Sequence, residues 1–488
     1  MERDDYKINV FHTHIEINRY NLGDKPKLED MLSVWDDSIY KKVPIGYTYN
    51  EELKRLYIPR GCDVTILERM FGYSANIIYI PDEYDEISMR MLVPPRDDEQ
   101  RESIAFLIGD GKFAYTKRFS QLSLNLGTGV GKTYVTTAAM SFFRLKTMII
   151  THTNEIKSQW LDTLTTKTDL DEANICNISS SARIDKLLNT KYNKLKYKVY
   201  LVNHGTILSY ANSNGWESIR ELFIHLRIGL KVMDEAHLFF ANMLKIDQFS
   251  NCKKSIYLTA TFDRSNRFEK YLFKLATSSM TRFGVEKQQE HRKHIMYLAV
   301  MYNSYPPLDI QSHMYTMRKF NKNRYASYLI SSSKFFVVLE YLVGRMIHKE
   351  GKMLLLSTTI ESCEVIHDFI KDKFPNKTVS MFHSKIPKKE KTQSWDADII
   401  CSTPASCGVG KDIPKLRTII NSEAYSSSVT ADQVAGRLRE DSETENTYYI
   451  ELVDRGFKSV YEMYKRRLPT LKKKCLSINT LDYDRENI

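Results

Sequence analysis

Residues 119–143 place an apolar run, 119–124, before Gly127-Thr128-Gly129-Val130-Gly131-Lys132-Thr133 and then a helix-compatible stretch, 134–143. Strand, glycine loop and helix in that order predict a parallel strand that feeds a crossover helix, which confines the chain to α/β architectures. The same order makes an anion site. Glycines let the backbone curl until its N–H groups face phosphate oxygens, and the helix N-terminus adds positive potential. Lys132 neutralises β- and γ-phosphate charge there, and Thr133 can ligate Mg²⁺. The strict spacing of a phosphate loop asks for glycine at position 126, which is Leu126 here. A flexible glycine-rich turn is the competing structural reading.

The alternation continues along the chain. Runs at 147–151, 199–202, 230–233 and 255–258 are rich in Val, Ile and Leu and are separated mostly by helix-compatible stretches, as in strands buried on both sheet faces. After a polar stretch at 286–293 a second series follows, at 353–357, 378–382, 398–402, 418–421 and 447–452. The 488 residues correspond to roughly three units at about 150 residues per domain. The expected architecture is therefore α/β, with two tandem parallel-sheet domains at 91–290 and 291–465. A small α+β accessory domain at 1–90 precedes them, with a strand at 55–59, a turn at Arg60-Gly61 and an amphipathic segment at 63–71. A basic tail at 466–488 ends the chain. Its Arg466, Arg467, Lys472, Lys473 and Lys474 read as a solvated helix end rather than a track for a phosphate backbone.

Composition narrows the class. Hydrophobic content of 42% and charged content of 27% exclude a disordered or fibrous chain. Lys and Arg outnumber Asp and Glu by 71 to 60, a balance that suits a polyanionic partner without requiring one. Cys62, Cys176, Cys252, Cys363, Cys401, Cys407 and Cys475 form no CxxC pair, so a reducing compartment and no structural metal are expected. The start, MERDDYKINV, lacks a secretory pattern, and the apolar stretch at 335–347 is interrupted by Glu340 and Arg345. The expectation is a cytoplasmic protein with no membrane partner.

The run at 230–233 leads into Asp234-Glu235-Ala236-His237, an acidic pair projected from the carboxyl edge of the sheet, where α/β proteins bind ligands. Asp234 there can hold Mg²⁺ through its water shell, and Glu235 can deprotonate the water that attacks the γ-phosphate. By itself the tetrapeptide also suits an exposed helix N-terminus. A phosphate loop earlier in the same sheet favours the nucleotide reading.

These segments, with Thr259-Ala260-Thr261 after the next strand and Gln433-Val434-Ala435-Gly436-Arg437-Leu438-Arg439 near the end of the second series, resemble the ordered motifs of superfamily 2 helicases. The resemblance covers about residues 91–460 and implies two RecA-like motor domains that use ATP and Mg²⁺ to move on nucleic acid. It implies that Lys132, Glu235, Gln433 and Arg437 are catalytic, with Gln433 near the γ-phosphate and Arg437 an arginine finger reaching an interdomain cleft. Gln100, in a segment at 96–100 one residue longer than the usual form, stands as the adenine contact. Thr128, Gly129, Val130, Gly131, Lys132, Thr133, Asp234, Gly410, Asp412 and Arg437 complete the implied nucleotide-binding set, with Thr133 and Asp234 serving Mg²⁺. His237, Thr259 and Thr261 are implied to couple hydrolysis to strand movement. Thr153, in THTNEIKSQW, with Thr206 and Thr403, is implied to touch the nucleic-acid backbone, contacts that position a strand without reading its sequence. The chain departs from the family in having Phe262 after the third segment and Glu440 where a second arginine is usual, which leaves Arg439 as its substitute.

The compact motor region and the segment LYIPRGCDVTILERMFGY look most like UvsW-type phage helicases, related to the XPB and RecG-like group. That resemblance implies a branched- or duplex-DNA substrate, with fork unwinding or junction migration in replication, recombination or repair. It also implies a duplex grip at 1–90 through Lys54, Arg55 and Arg60, set against a purely bracing role for that domain. Host cytoplasm would be its place if it is phage-encoded, and a monomer is favoured. An RNA helicase or transcript-release factor, a duplex translocase without strand separation, and a nonmotor ATP-dependent scaffold are the alternatives. Intact Lys132, Glu235 and Arg437 argue against the scaffold.

Overall fold

A computed structural model describes residues 7–18, 33–36, 41–44, 47–72, 74–77, 83–126, 130–236, 240–259, 281–284, 294–316, 319–347, 351–386, 394–407, 413–423, 431, 434–438 and 446–486. The chain forms two units, Met1–Gln288 and Gln289–Ile488.

In the first unit the Val-, Ile- and Leu-rich runs become the middle of a wholly parallel seven-stranded sheet. Its spatial order is Ile175–Ile178, Val199–Asn203, Thr147–Thr151, Leu230–Met233, Lys254–Thr259, Gln121–Asn125 and Arg282–Phe283. Leu122, Leu124, Ile149, Ile150 and Val232 are fully buried, which is why these strands carry unbroken apolar runs rather than alternation. The strand Gln121–Asn125 is separated by two strands, Leu230–Met233 and Lys254–Thr259, from Thr147–Thr151, the strand that follows it in the chain beyond the helix Lys132–Phe143. The crossover thus skips the two strands between them, which are added later in the chain after it turns back from the edge strand Ile175–Ile178. Open sheets hold ligands in crevices at the carboxyl ends of their strands where strand order breaks in this way.

The first ninety residues contribute a separate five-stranded sheet, ordered Thr48–Asn50, Arg55–Pro59, His14–Asn18, Ile8–Val10 and Ala75–Ile77. The amphipathic segment forms the helix Val64–Phe71, started by the Asp63 carboxylate accepting from Thr65 N and ended by Gly72 at φ 76. This sheet packs on the parallel-sheet domain: Ile8, Ile15, Leu56, Ile58 and Leu67 share one apolar cluster with Phe240 and Leu244 of the helix Phe240–Gln248. Polar contacts reinforce the seam, with Arg220 Nη2 donating to Glu16 Oε1 at 3.0 Å and Thr48 Oγ1 to Gln248 Oε1 at 2.7 Å.

The second unit holds another wholly parallel seven-stranded sheet, ordered Val379–Phe382, Ile399–Ser402, Lys352–Leu356, Leu416–Asn421, Thr447–Asp454, Ile295–Tyr302 and Cys475–Asp482. The helix Ser333–Met346 buries Phe335, Val338, Leu339, Leu342 and Val343 against it, which explains the apolar stretch noted in the sequence. No single helix among the described residues is long and apolar enough to cross a membrane.

Of residues 466–488, expected as a basic tail, the described part, 466–486, is instead integral to this unit. It contains the end of the helix Lys458–Lys474 and the strand Cys475–Asp482, which pairs in parallel with Ile295–Tyr302. Arg467 is 1% exposed, against the solvated reading. The reason is a buried partner: its Nε and Nη2 donate to Glu451 Oε1 and Oε2 at 3.0 and 3.2 Å.

Candidate nucleotide and nucleic-acid site

The helix Lys132–Phe143 begins directly after Gly131, whose φ of 92 puts it in the left-handed region that favours glycine. A Cβ at Gly131 would lie 2.7 Å from Gln100 Nε2, so the close approach also requires glycine. Gln100 is 5% exposed and fixes the loop: its Nε2 donates to Val130 O at 2.9 Å, while its Oε1 accepts from Arg96 N at 2.9 Å. The residue expected to contact adenine thus has its side-chain amide joined to the phosphate loop itself.

Lys132 Nζ donates to Leu126 O at 3.1 Å and stands 4.0 Å from Glu235 Oε1. The two side chains come from strands separated by one neighbour, Lys254–Thr259, so the topology alone brings the glycine loop and the acidic pair together. Glu235 has φ 48, a left-handed conformation uncommon for a residue with a side chain. Its neighbours hold it there. Asp234 N donates to Ile150 O at 2.9 Å, Ala236 N to Leu258 O at 3.0 Å, and Glu235 N to Asp234 Oδ1 at 2.8 Å. Such local strain is characteristic of functional sites and persists only when the surroundings fix it.

Asp234 is 6% exposed, and its other oxygen, Oδ2, accepts from Trp160 Nε1 at 2.8 Å. Burial pushes its carboxyl up to about 6, with the Glu235 charge adding to the rise, while the Trp160 hydrogen bond and the Lys132 charge oppose it. Each carboxylate oxygen has a second lone-pair direction beyond the one taken by an N–H, so this hard oxygen donor can accept water ligands of Mg²⁺. The Thr133 hydroxyl, in the first turn of the adjoining helix, adds a donor of the same chemistry.

At the same carboxyl edge, Thr153 caps the helix Asn154–Lys167 by accepting from Ile156 N at 3.3 Å. Thr151 Oγ1 donates to Asn203 Oδ1 at 2.8 Å, and Asn203 Nδ2 donates to Asn154 Oδ1 at 2.9 Å. Thr206 lies in the first turn of the neighbouring helix, His204–Asn214, so it and Thr153 follow adjacent strands. His152 and His204 pack ring against ring at 5.3 Å, and burial followed by the His204 charge lowers the His152 pKa. Thr259 ends its strand at 2% exposure.

In the second unit Thr403 is 6% exposed, accepting from Ser406 N at 3.3 Å ahead of the helix Pro404–Cys407. Arg437 is 8% exposed, in a segment anchored by buried Val434, Ala435 and Leu438. Among the N-terminal cations, Arg55 Nη1 lies 3.9 Å from Glu16 Oε2, while Arg60 follows the strand Arg55–Pro59 and Lys54 is exposed. Thr128, Gly129, His237, Thr261, Gly410, Asp412, Gln433 and Arg439 lie outside the described residues. The Trp160–Asp234 contact was not anticipated; the partners are 74 residues apart and no spacing announces it.

The family model described as type III restriction enzyme, res subunit, matches residues 94–264, and the helicase conserved C-terminal domain matches residues 333–439. The two matches fall on the two parallel-sheet domains in the order the motifs require. The chain is a superfamily 2 helicase. This helicase is accordingly an ATP-dependent enzyme built on tandem RecA-like domains with a small N-terminal sheet. It is 22% identical over 367 residues to transcript termination protein A18 of Yaba-like disease virus, covering 71% of this chain and 70% of the relative. Its fold is similar to that of S. cerevisiae Dbp5 bound to RNA and ADP BeF3, with a TM-score of 0.56, 14% identity, and 80% and 90% of the two chains covered. T4 UvsW superposes over 98% of this chain and 99% of its own with 14% identity, but at a TM-score of 0.37.

Proposed function

We propose that this helicase hydrolyses ATP at the carboxyl edge of its first sheet and uses the cycle to move along DNA, acting on duplex or branched substrates. The observation that carries this reading is the approach of Lys132 to Glu235, 4.0 Å apart, beside a buried and oriented Asp234. In the proposed reaction the Lys132 ammonium neutralises charge on the β- and γ-phosphates, and Glu235 removes the proton of the attacking water. Asp234 and Thr133 hold the hydrated Mg²⁺, which when bound neutralises further phosphate charge. Arg437 serves as arginine finger and Gln433 as γ-phosphate contact; Gly410 and Asp412 serve the ribose; His237, Thr259 and Thr261 couple turnover to movement. Thr153, Thr206 and Thr403 contact the backbone of the bound strand, and Arg60 helps the N-terminal sheet hold duplex. In this division of labour residues 91–290 bind nucleotide and 291–465 complete the motor.

ATPase assays with single-stranded DNA, duplex DNA, forked DNA and RNA test the substrate. The reading expects the strongest stimulation from duplex or forked DNA; stimulation chiefly by RNA contradicts it. Likeness to a relative named as a transcript termination protein favours a second reading, a DNA-tracking motor that releases transcripts. That reading expects ATP-dependent loss of labelled transcript from a stalled elongation complex, abolished by Lys132→Ala.

A further inference from the structure

Trp160 lies in the middle of the helix Asn154–Lys167 with no exposed surface, yet its one polar atom is spent on Asp234 Oδ2 at 2.8 Å. The carboxylate is consequently held at both oxygens, at Oδ1 by Glu235 N and at Oδ2 by a side chain from another element. The backbone contact belongs to the turn itself. The indole contact instead ties the carboxylate plane to a helix whose other end faces the polar cluster of Thr151, Asn203 and Asn154. Thr153 caps that end, about 10 Å from Trp160 at the helical rise per residue.

We infer that Trp160 is a positioning residue, whose indole N–H orients Asp234 toward nucleotide-bound Mg²⁺ and whose helix makes that orientation depend on nucleic acid seated at Thr153. The inference rests on the proposed role of Asp234. A ligand-bearing carboxylate free to rotate loses affinity for its ion, and outer-sphere hydrogen bonds of this kind typically contribute about tenfold or more. A rigid helix displaced at its N-terminus moves the indole with it, so strand binding and carboxylate orientation are linked and the linkage acts equally in both directions.

The test uses the full chain and a fluorescent ADP analogue, titrated with Mg²⁺ or with EDTA, in the presence and absence of duplex DNA. Trp160→Phe removes the donor, and benzothienylalanine at position 160 removes it while keeping the ring size, which covers the case of a phenylalanine variant that packs badly. Both are expected to bind the analogue in EDTA as the parent does. The tightening on adding Mg²⁺ should fall about tenfold, and the further effect of DNA on it should disappear. An unchanged Mg²⁺ increment in the benzothienylalanine protein overturns the inference. Equal weakening in EDTA and Mg²⁺ also overturns it, because it assigns the indole to packing alone. Asp234→Asn separates the two levels. If that variant keeps the Mg²⁺ increment, the role of Asp234 fails; if it loses the increment while both position-160 variants keep it, only the inference about Trp160 fails.

Discussion

Arg467→Ala is the sharpest test of how the second unit is held together. Glu451 is fully buried and accepts from Arg467 through both oxygens, from Tyr297 OH at 2.7 Å and from Asn421 Nδ2 at 3.4 Å. Truncating Arg467 leaves a dry carboxylate with two neutral donors and without its paired guanidinium. Removing one member of a buried pair costs about 3–5 kcal/mol, whereas an exposed pair contributes at most about 1 kcal/mol. Hydrogen exchange read on peptides covering Ile295–Tyr302 and Thr447–Asp454 should show the opening free energy of these adjoining strands falling by about 3 kcal/mol or more. Arg467→Met combined with Glu451→Leu should recover most of that loss, since no buried charge then remains unpaired. A change below about 0.5 kcal/mol in Arg467→Ala, as for an ordinary surface position, would refute the argument and return the segment to a solvated helix end.

Gly131→Ala forces a side chain into the left-handed region and a methyl group 2.7 Å from Gln100 Nε2. Nucleotide affinity should fall at least about tenfold while unfolding free energy falls by only about 1–2 kcal/mol; unaltered nucleotide binding contradicts the loop geometry. Burial, helped by the Lys253 charge, lowers Lys254 from 10.5 to about 8. The unfolded chain therefore binds more protons between pH 8 and 10.5, so this residue destabilises the fold fully below pH 8 and the penalty fades as pH rises through that window. Lys254→Met, which also forfeits the 3.0 Å bond to Phe119 O, should raise urea stability at pH 7 by about 1–2 kcal/mol and by much less near pH 10. Equal gains at both pH values, or a loss at pH 7, would count against it.

The strands that sit between two neighbours and bury both faces were legible because that environment demands unbroken apolar runs. Thr147–Thr151 and Leu230–Met233 fall where the sequence placed them. The strands Ile175–Ile178 and Cys475–Asp482 escaped because each lies at a sheet edge and includes polar residues, such as Asn177 and Asn479. Ile295–Tyr302 was missed although it is internal and apolar along most of its length. In the candidate site, the glycine loop and acidic pair could be read because local spacing encodes them. The partners that orient them could not be read. Trp160 reaches Asp234, and Gln100 reaches Val130, only through the fold. Arg467 was misjudged for the same reason: a run of charge looks solvated until the chain supplies Glu451.

The central claim is that hydrolysis depends on the carboxylate of Glu235 beside Lys132. Steady-state ATP turnover of the full chain with saturating duplex DNA, compared between the parent protein and Glu235→Gln, measures it directly. Loss of a positioned general base predicts a fall of about 10²–10⁴ in kcat with nucleotide binding retained. Turnover undiminished in Glu235→Gln would contradict the account.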